Sequence, residues 1–383
     1  TYGMLSRPRP KALDRRYIEA TPWWRRVDVL LIGSALALAI SGVLMVYSAT
    51  RAGHGAAGYA GFAIRQAVWV CVGLVAMTVV ASINYRKWQQ LAAWMYGGII
   101  VFLLAVLTPL GSSSKGAQAW FQLGGFQFQP SEYAKIVLIV ALSVYAARQQ
   151  RNLDGRFTAV AVGIAAIPMA VILLQPDLGT TLVFASITFV ILLVAGAPGK
   201  ALLALVLMAV VAAVAVIQLG VLKQYQLDRL GAFLDPNNNT QHAAYNLNQS
   251  KIAIGSGGIV GKGLFLGTQT NLRYVPEQHT DFIFTVVGEE LGLLGSGTML
   301  VLFAILLWRI WLAASQAADR FGTYLCAGVI AMFMFQLFEN VGMTMGIMPI
   351  TGIPLPLVSY GGSSMLAAFI AIGVVLNVKF RSS

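Results

Sequence analysis

Apolar residues in this chain come in long unbroken runs, at neither the spacing of an amphipathic helix nor the alternation of a half-buried strand. Charge-free stretches occupy 29–50, 66–85, 89–107, 136–147, 157–175, 178–199, 201–222, 291–308, 321–338 and 357–378. A helix rises 1.5 Å per residue, so about 20 apolar residues cross a hydrocarbon core about 30 Å thick. The stretch 136–147 reaches that length only if Glu132 and Lys135 belong to its first turn, and 357–378 opens on the polar residues 359–364. The pattern predicts an all-α polytopic integral membrane protein with about ten transmembrane helices.

Lysine and arginine punctuate these runs. With the N-terminus inside, Arg7, Arg9, Lys11, Arg15, Arg16, Arg25 and Arg26 precede the first span. Arg86, Lys87, Arg148, Arg151, Arg156, Lys200, Arg309, Arg320, Lys379 and Arg381 fall in the other inner segments, against Arg51, Arg65, Lys115 and Lys135 in the short outer connections. Inner loops concentrate basic residues, so both termini are expected in the cytoplasm. Residues 1–26 then form a basic cytoplasmic tail and 27–383 a single transmembrane domain. The tail has no apolar run of its own and does not read as a signal peptide. By parity, 223–290, between spans seven and eight, is a large extracytoplasmic loop. A connection this long is functional or separately folded, and its mixture of polar, apolar and glycine residues predicts an ordered one.

Composition narrows the class further. The chain is 58% hydrophobic and 10% charged, where a soluble domain carries about 25% charged residues. A net charge of +12 would fit nucleic acid, but its basic residues stand at the ends of apolar runs, so a nucleic-acid partner is not expected. Cys71 and Cys326 lie inside apolar runs, so small buried side chains are expected of them and a disulfide is not, and no Cys/His spacing matches a structural zinc site. No internal repeat of the inverted-transporter kind is visible.

Ionisable groups at membrane depth are costly and mark sites or pathways. Four clusters fall at the outer ends of the spans. The first joins 116–120, ending at Trp120, to Gln129-Pro130-Ser131-Glu132-Tyr133-Ala134-Lys135. Pro130 and Glu132 suit a first helical turn, and Glu132 and Lys135, three apart, share a helix face. A local ion pair accounts for them, and so does a Lys135 cation offered to an anionic substrate. The second, Gln175-Pro176-Asp177-Leu178-Gly179-Thr180, makes Asp177 either a turn former or a carboxylate in need of a partner such as Lys135.

The third cluster is the long loop. It holds Tyr225-Gln226-Leu227-Asp228-Arg229-Leu230, then Gln249-Ser250-Lys251, Lys262 and Arg273 among Gly255, Gly257, Gly258, Gly261, Gly263 and Gly267. Such glycines bring backbone N–H groups near a phosphate or simply make turns. His279 and Asp281 precede a returning apolar helix, with Glu289 and Glu290 about two turns on. A carboxylate beside apolar residues can serve as a general base, and a Thr280 or Asp281 N-cap is the structural alternative. His279 and Asp281 are too few ligands for a metal site. The fourth cluster, 348–364, carries Pro349, Pro354, Pro356 and Gly361-Gly362, which forbid a regular helix. Irregular backbone at membrane depth is buried in protein or lines a cavity. Glu339 and Asn340 also fall near an outer end.

Six ordered blocks, 128–135, 175–180, 225–236, 249–263, 276–281 and 351–364, are similar to the SEDS family (shape, elongation, division and sporulation proteins), and the likeness runs from about 26 to 381. The stretch 342–356 is more similar to the elongation branch, RodA, than to the division branch, FtsW. The resemblance implies a peptidoglycan glycosyltransferase that polymerises undecaprenyl-linked lipid II at the outer face of the bacterial cytoplasmic membrane during cell elongation. It implies a class B penicillin-binding protein transpeptidase as partner, and no organic cofactor. It carries an essential carboxylate onto Asp281 and supporting roles onto Glu132, Lys135 and Asp177. Trp120, Gln249, Ser250, Lys251, Lys262, Arg273, Ser359, Tyr360, Gly361 and Gly362 complete the expected substrate-binding or supporting set. Two stretches depart from the family pattern: Ala119 stands where an Arg is frequent, and Ala244-Tyr245-Asn246 where Gly-Tyr-Gln is frequent.

The chemistry expected is a proton transfer from the acceptor hydroxyl to Asp281, with displacement of undecaprenyl pyrophosphate and inversion at the anomeric carbon. Positive charge would come from Lys135, Lys251, Lys262 or Arg273, or from a divalent cation (Mg or Mn) on the phosphates. The rival reading is a lipid II flippase. Transport asks for polar residues at both faces and at the midplane, whereas here they gather on one side. A non-catalytic scaffold leaves the intramembrane charges without a purpose.

Overall fold

The computed structural model describes residues 28–382 except 52–55, 115–116, 124–125, 150–153, 219, 221–223 and 235–241. The tail 1–26, Lys115, Gly116 and Pro236 therefore lie outside the described residues. In chain order the elements are α1 (Val29–Arg51), α2 (Ala56–Ser82), α3 (Trp88–Val106), β1 (Ser112–Ser114), β2 (Ala117–Leu123), β3 (Phe126–Phe128), α4 (Pro130–Arg148), α5 (Gly155–Leu174), α6 (Leu178–Ala195), α7 (Gly199–Gln218), α8 (Gln224–Leu234), α9 (His242–Gly257), α10 (Thr268–Leu272), α11 (Ile283–Ser315), α12 (Arg320–Met345) and α13 (Gly362–Phe380). Among the described residues nine helices are long and apolar enough to cross a membrane, and Gly199–Ala215 is a further, shorter apolar helix. Their outward faces are apolar, with Trp94, Val101, Ile167, Leu207, Val211 and Leu293 all exposed. A soluble protein would bury such surface. The chain is an all-α, multi-pass membrane protein.

Burial separates a central group from a rim. About 70% of the spanning windows of α4, α12 and α13 is buried, against 17% for α3. Helix α13 lies along α2 at close range. A Cβ on Gly73 would meet the Phe369 ring at 2.4 Å, and one on Gly373 the Met77 carbonyl at 2.7 Å. Helix α7 packs lightly, chiefly against α6.

Helix α4 starts at Pro130, as the 129–135 block suggested, so Glu132 and Lys135 belong to its first turns and the span reaches full length, with Lys135 inside it and not in a connection. Other boundaries differ from the pattern-based reading. Arg65 likewise sits within α2 and not in a connection. Helix α12 runs on through Glu339 and Asn340, and α11 starts at Ile283, so Glu289 and Glu290 belong to the helix. Helix α13 begins only at Gly362, since the prolines and glycines before it cannot continue a helix. A small antiparallel sheet of order β1-β2-β3 covers 112–128, with Ser112 opposite Trp120 and Phe121 opposite Phe128.

The described residues of the long loop form α8, α9 and α10, and 257–263 is stitched into a break in α11. Gly292 has φ 62° and ψ −158°, a conformation open to glycine alone. In an unbroken helix Leu293 and Leu294 would donate to the carbonyls of Glu289 and Glu290. Instead they donate to Gly258 O (2.9 Å) and Ile259 O (3.0 Å), while the freed carbonyls accept from Lys262 N and Gly263 N, both at 3.0 Å. The loop glycines permit this approach: a Cβ on Gly261 (φ +83°) would sit 2.1 Å from Glu290 O, and one on Gly257 2.0 Å from Gly288 O.

Two buried carboxylates tighten the join. Glu289 accepts from Lys262 Nζ (2.8 Å), Thr270 Oγ1 (2.8 Å) and the backbone N–H groups of Gln269 (2.8 Å) and Thr270 (2.9 Å). Glu290 accepts from Ser48 Oγ on α1 (2.5 Å) and Phe265 N (3.1 Å). Replacing Gly261 with Val combines a forbidden φ with a backbone clash. We expect a loss of more than about 2 kcal/mol, read as a lowered unfolding temperature in detergent; an unchanged melt would show that the stitch bears no weight.

Candidate active site

Asp281 stands at the loop end of the bundle, just before α11. It is not that helix's N-cap. The cap residue is Phe282, with no side-chain capping bond, and the Thr280 hydroxyl turns back to Glu277. What fixes Asp281 is its backbone: the Asn340 side-chain amide donates to Asp281 O (2.8 Å) and to Ile353 O (2.7 Å). One fully buried residue of α12 thus clamps the 276–282 turn to the irregular 351–361 segment. Beneath the turn, Leu247, Val275, Phe282, Met343 and Ile350 form a small core of their own.

The Asp281 carboxylate shares its surroundings with a cation. Gly352 has φ +77°, and a Cβ there would lie 3.4 Å from Asp281 Oδ2 and 3.5 Å from Arg229 Nη1. Both charged groups therefore converge on one point above Gly352. Arg229 comes from α8, and its guanidinium also reaches Thr351 O (3.5 Å) and lies over the Tyr225 ring at 5.7 Å. Helix α8 is held from the other side. Tyr225 OH and Gln226 Nε2 donate to Pro176 O at 3.0 and 3.3 Å. Burial raises the Tyr225 phenol above its ordinary pKa, with Arg229 pulling it down and Asp177 pushing it up, so it remains a donor.

Asp177 itself is spent locally. Its carboxylate caps α6, accepting from Thr180 N (2.9 Å) and Thr180 Oγ1 (2.7 Å). The start of α6 still borders the site, since a Cβ on Gly179 would lie 3.2 Å from Thr351 O. Blocks far apart in sequence, 175–180, 225–229, 281, 339–340 and 351–353, thus meet at one place.

Other expected residues serve elsewhere. Lys135 is 2% exposed and pairs with Glu132 at 2.8 Å, so its partner is Glu132 and not Asp177. Lys262 is bound to Glu289 and, at 2.6 Å, to Thr268. Ser250 donates to Thr344 O (2.6 Å), and the stem of Lys251 lies across Gly346 at the end of α12. Gln249 is half-buried on α9, and Arg273 is exposed at the end of α10. Trp120 is half-buried in β2, its carbonyl accepting from Ser112 Oγ. Ser359 is buried, its hydroxyl accepting from Leu355 N and its carbonyl from Gln66 Nε2. Tyr360 N donates to His279 O (2.9 Å), and its ring stands edge-on to Phe62. Gly361 and Gly362 lead into α13, with Gly361 N facing Gln66 Oε1.

The cation beside Asp281 was absent from the expected set. Arg229 lay inside a quoted block but followed Asp228 directly, and a neighbouring pair of opposite charges reads as a solvated helix face. Glu339 is the second addition. It is fully buried on α12, and among the described residues no carboxylate or cation pairs with it, the Thr351 hydroxyl being the donor that lies close by.

This arrangement defines a class: a multi-helix membrane protein with a carboxylate and a guanidinium facing each other at one end of the bundle. Residues 28–383 match the family described as cell cycle protein FtsW/RodA/SpoVE, and the chain belongs to that family. Peptidoglycan glycosyltransferase MrdB of Escherichia coli K12 is 37% identical over 359 residues, 93% of this chain and 95% of that protein. A probable peptidoglycan glycosyltransferase FtsW of Geobacter metallireducens is 35% identical over 361 residues, 93% and 95% of the two chains. Among solved structures, a chain from a peptidoglycan synthase complex coordinating polymerisation and crosslinking has a TM-score of 0.77 at 31% identity, covering 95% of this chain and 98% of its own. RodA of Thermus thermophilus has a TM-score of 0.68 at 30% identity, covering 94% and 98%.

Two substitutions probe the site. Gly352→Ala strains the backbone at a positive φ directly beneath Asp281 and Arg229; activity should fall at least about tenfold, since small misplacements of reacting groups cost that much or more. An unaltered rate would remove Gly352 from the geometry. Replacing Glu339 with Met removes a buried carboxylate that has no ion-pair partner among the described residues and should stabilise the fold by about 1 kcal/mol or more. A lowered melting temperature in that variant would reveal a partner for Glu339.

Proposed function

We propose that this chain is a peptidoglycan glycosyltransferase that polymerises lipid II, with Asp281 as general base and Arg229 as its electrostatic partner. The convergence of these two groups above Gly352 carries the reading. Asp281 takes the proton from the attacking hydroxyl of the acceptor sugar. That oxygen bonds to the anomeric carbon of the donor as the bond to undecaprenyl pyrophosphate breaks, and the leaving group departs with the electron pair. The anomeric centre inverts. Pyrophosphate needs no acid to leave, only positive charge as the bond breaks, and Arg229 supplies it beside the base. With Lys135 and Lys262 each engaged by a carboxylate, Arg229 is preferred to them as the source.

A divalent cation fits this scheme as a companion of the substrate's phosphates. Among the described residues no group of three or more His, Cys, Asp and Glu is gathered to hold a metal ion, so Asp281 and the phosphates would share it, and none of the steps above runs through it. The loop end of the bundle faces the outside of the bacterial cytoplasmic membrane in this reading, where the excess of basic residues at the opposite end puts it. The synthase complex among the structural relatives supports a crosslinking partner, a class B penicillin-binding protein, and the MrdB and RodA relatives support duty in cell elongation.

The decisive test uses purified lipid II with the solubilised protein and its transpeptidase partner. Asp281→Ala and Asp281→Asn should each reduce glycan polymer at least about a hundredfold, the usual worth of a general base. Arg229→Ala should lose a comparable amount, with Arg229→Lys recovering part of it. Full activity in folded Asp281 variants would eliminate that carboxylate as the base. Lipid II translocation without polymer, by wild type as well, would turn the assignment to a flippase.

A further inference from the structure

At the opposite end of the bundle from Asp281, α1, α2 and α13 enclose a lateral groove of about 550 Å³. Its walls are Ile32, Met77, Ala81, Leu376 and Phe380, and Arg381 stands at its mouth. The remaining lining residues, Thr78 and Ser82, turn their hydroxyls back to their own helix, onto Leu74 O (2.8 Å) and Val79 O (2.7 Å). Among the described residues lining the groove, Arg381 is thus the one group that can meet an external anion.

The bonding of Arg381 leaves its charge uncompensated. Its guanidinium donates to Asn377 Oδ1 (2.6 Å), Ser82 O (3.0 Å), Asn377 O (3.2 Å) and Ala81 O (3.3 Å), all neutral acceptors. The nearby Asp319 is occupied by Arg86 (3.3 Å) and Tyr85 OH (2.8 Å) and caps α12 through Gly322 N (2.8 Å). Among the described residues no carboxylate pairs with Arg381. The carbonyls fix the guanidinium in place at the edge of an apolar trough, at the end of the bundle where basic residues accumulate.

We infer that this groove holds one anionic phospholipid, an acyl chain lying against Ile32 and Phe380 and the phosphate on Arg381. Its size argues against a protein helix. A helix about 10 Å across would fill the volume in roughly one turn, whereas an acyl chain is slender enough to lie along it. A basic pocket between transmembrane helices on the cytoplasmic side is the setting in which anionic headgroups are recognised. This lipid site is separate from the substrate site, which lies at the other end of the bundle.

Native mass spectrometry of the full chain, released from nanodiscs of equal phosphatidylglycerol and phosphatidylcholine with matched acyl chains, tests the assignment. Wild type should retain one phospholipid, with phosphatidylglycerol favoured about fivefold, the worth of one arginine near an anionic headgroup. Arg381→Gln should abolish the headgroup preference, and Thr78→Trp, on the groove's exposed rim, should expel the lipid while the protein remains monodisperse. Retention of phosphatidylglycerol at the wild-type level in both variants, or of no phospholipid by wild type, would overturn the proposal.

Discussion

The structure depends on how one broken helix is repaired. At Gly292 the backbone of α11 leaves its helical path, and two N–H groups and two carbonyls lose their partners at membrane depth. Unsatisfied backbone in lipid costs several kcal/mol per group, so the break persists only because 257–263 supplies both the donors and the acceptors. The carboxylates of Glu289 and Glu290 then bind 262–270 from the helix side, and Glu290 also takes Ser48 of α1. Their charges look functional in a list of intramembrane ionisable residues, yet their contacts are those of fasteners. A long loop that would otherwise move about becomes part of the bundle, and the start of α11, with Asp281 before it, acquires a fixed direction.

Asn340 performs the second act of positioning. Its single amide group reads two backbone carbonyls, one on Asp281 and one in the proline-rich segment. The main chain of Asp281 is thereby tied to α12 and to the 351–361 segment at once. Arg229 is located in a similar manner, through a carbonyl and an aromatic face and through neighbours on α8 that grip Pro176. A site held by backbone contacts tolerates varied side chains in its surroundings, provided glycine remains where the main chain must come close.

The spans were legible because uninterrupted hydrophobicity over about twenty residues has few other meanings. Asp281 was singled out by the likeness of its 276–281 block to the family, since chemistry alone left an N-cap equally open, and the structure gives the cap to Phe282. Charged residues within helices were harder to place. Glu132 and Lys135 read equally as an ion pair or as substrate ligands, and burial, which no single sequence reports, decides that they meet each other. The loop glycines fitted a phosphate cradle on composition; Gly257 and Gly261 instead make room for another stretch of backbone, a contact set by partners some thirty positions away. The strands at 112–128 escaped notice although Gly124-Gly125 between alternating residues is a hairpin signal, because the membrane pattern drew the reading towards helices. Arg229 could be seen but its direction could not.

Helix α7 has apolar residues on nearly every side and leans lightly on α6. In lipid that is tolerable, since a helix satisfies its own backbone and gains little from neighbours as oily as the solvent around it. The chain then passes from this loosely seated helix into α8, which bears Arg229. The mooring of the cation is therefore at its far side, on Pro176 and Thr351, and the helix that delivers it acts as a slack tether. A tilt of α7 therefore finds few packed neighbours in the bundle to push on, while the guanidinium keeps its own anchor points on the far side.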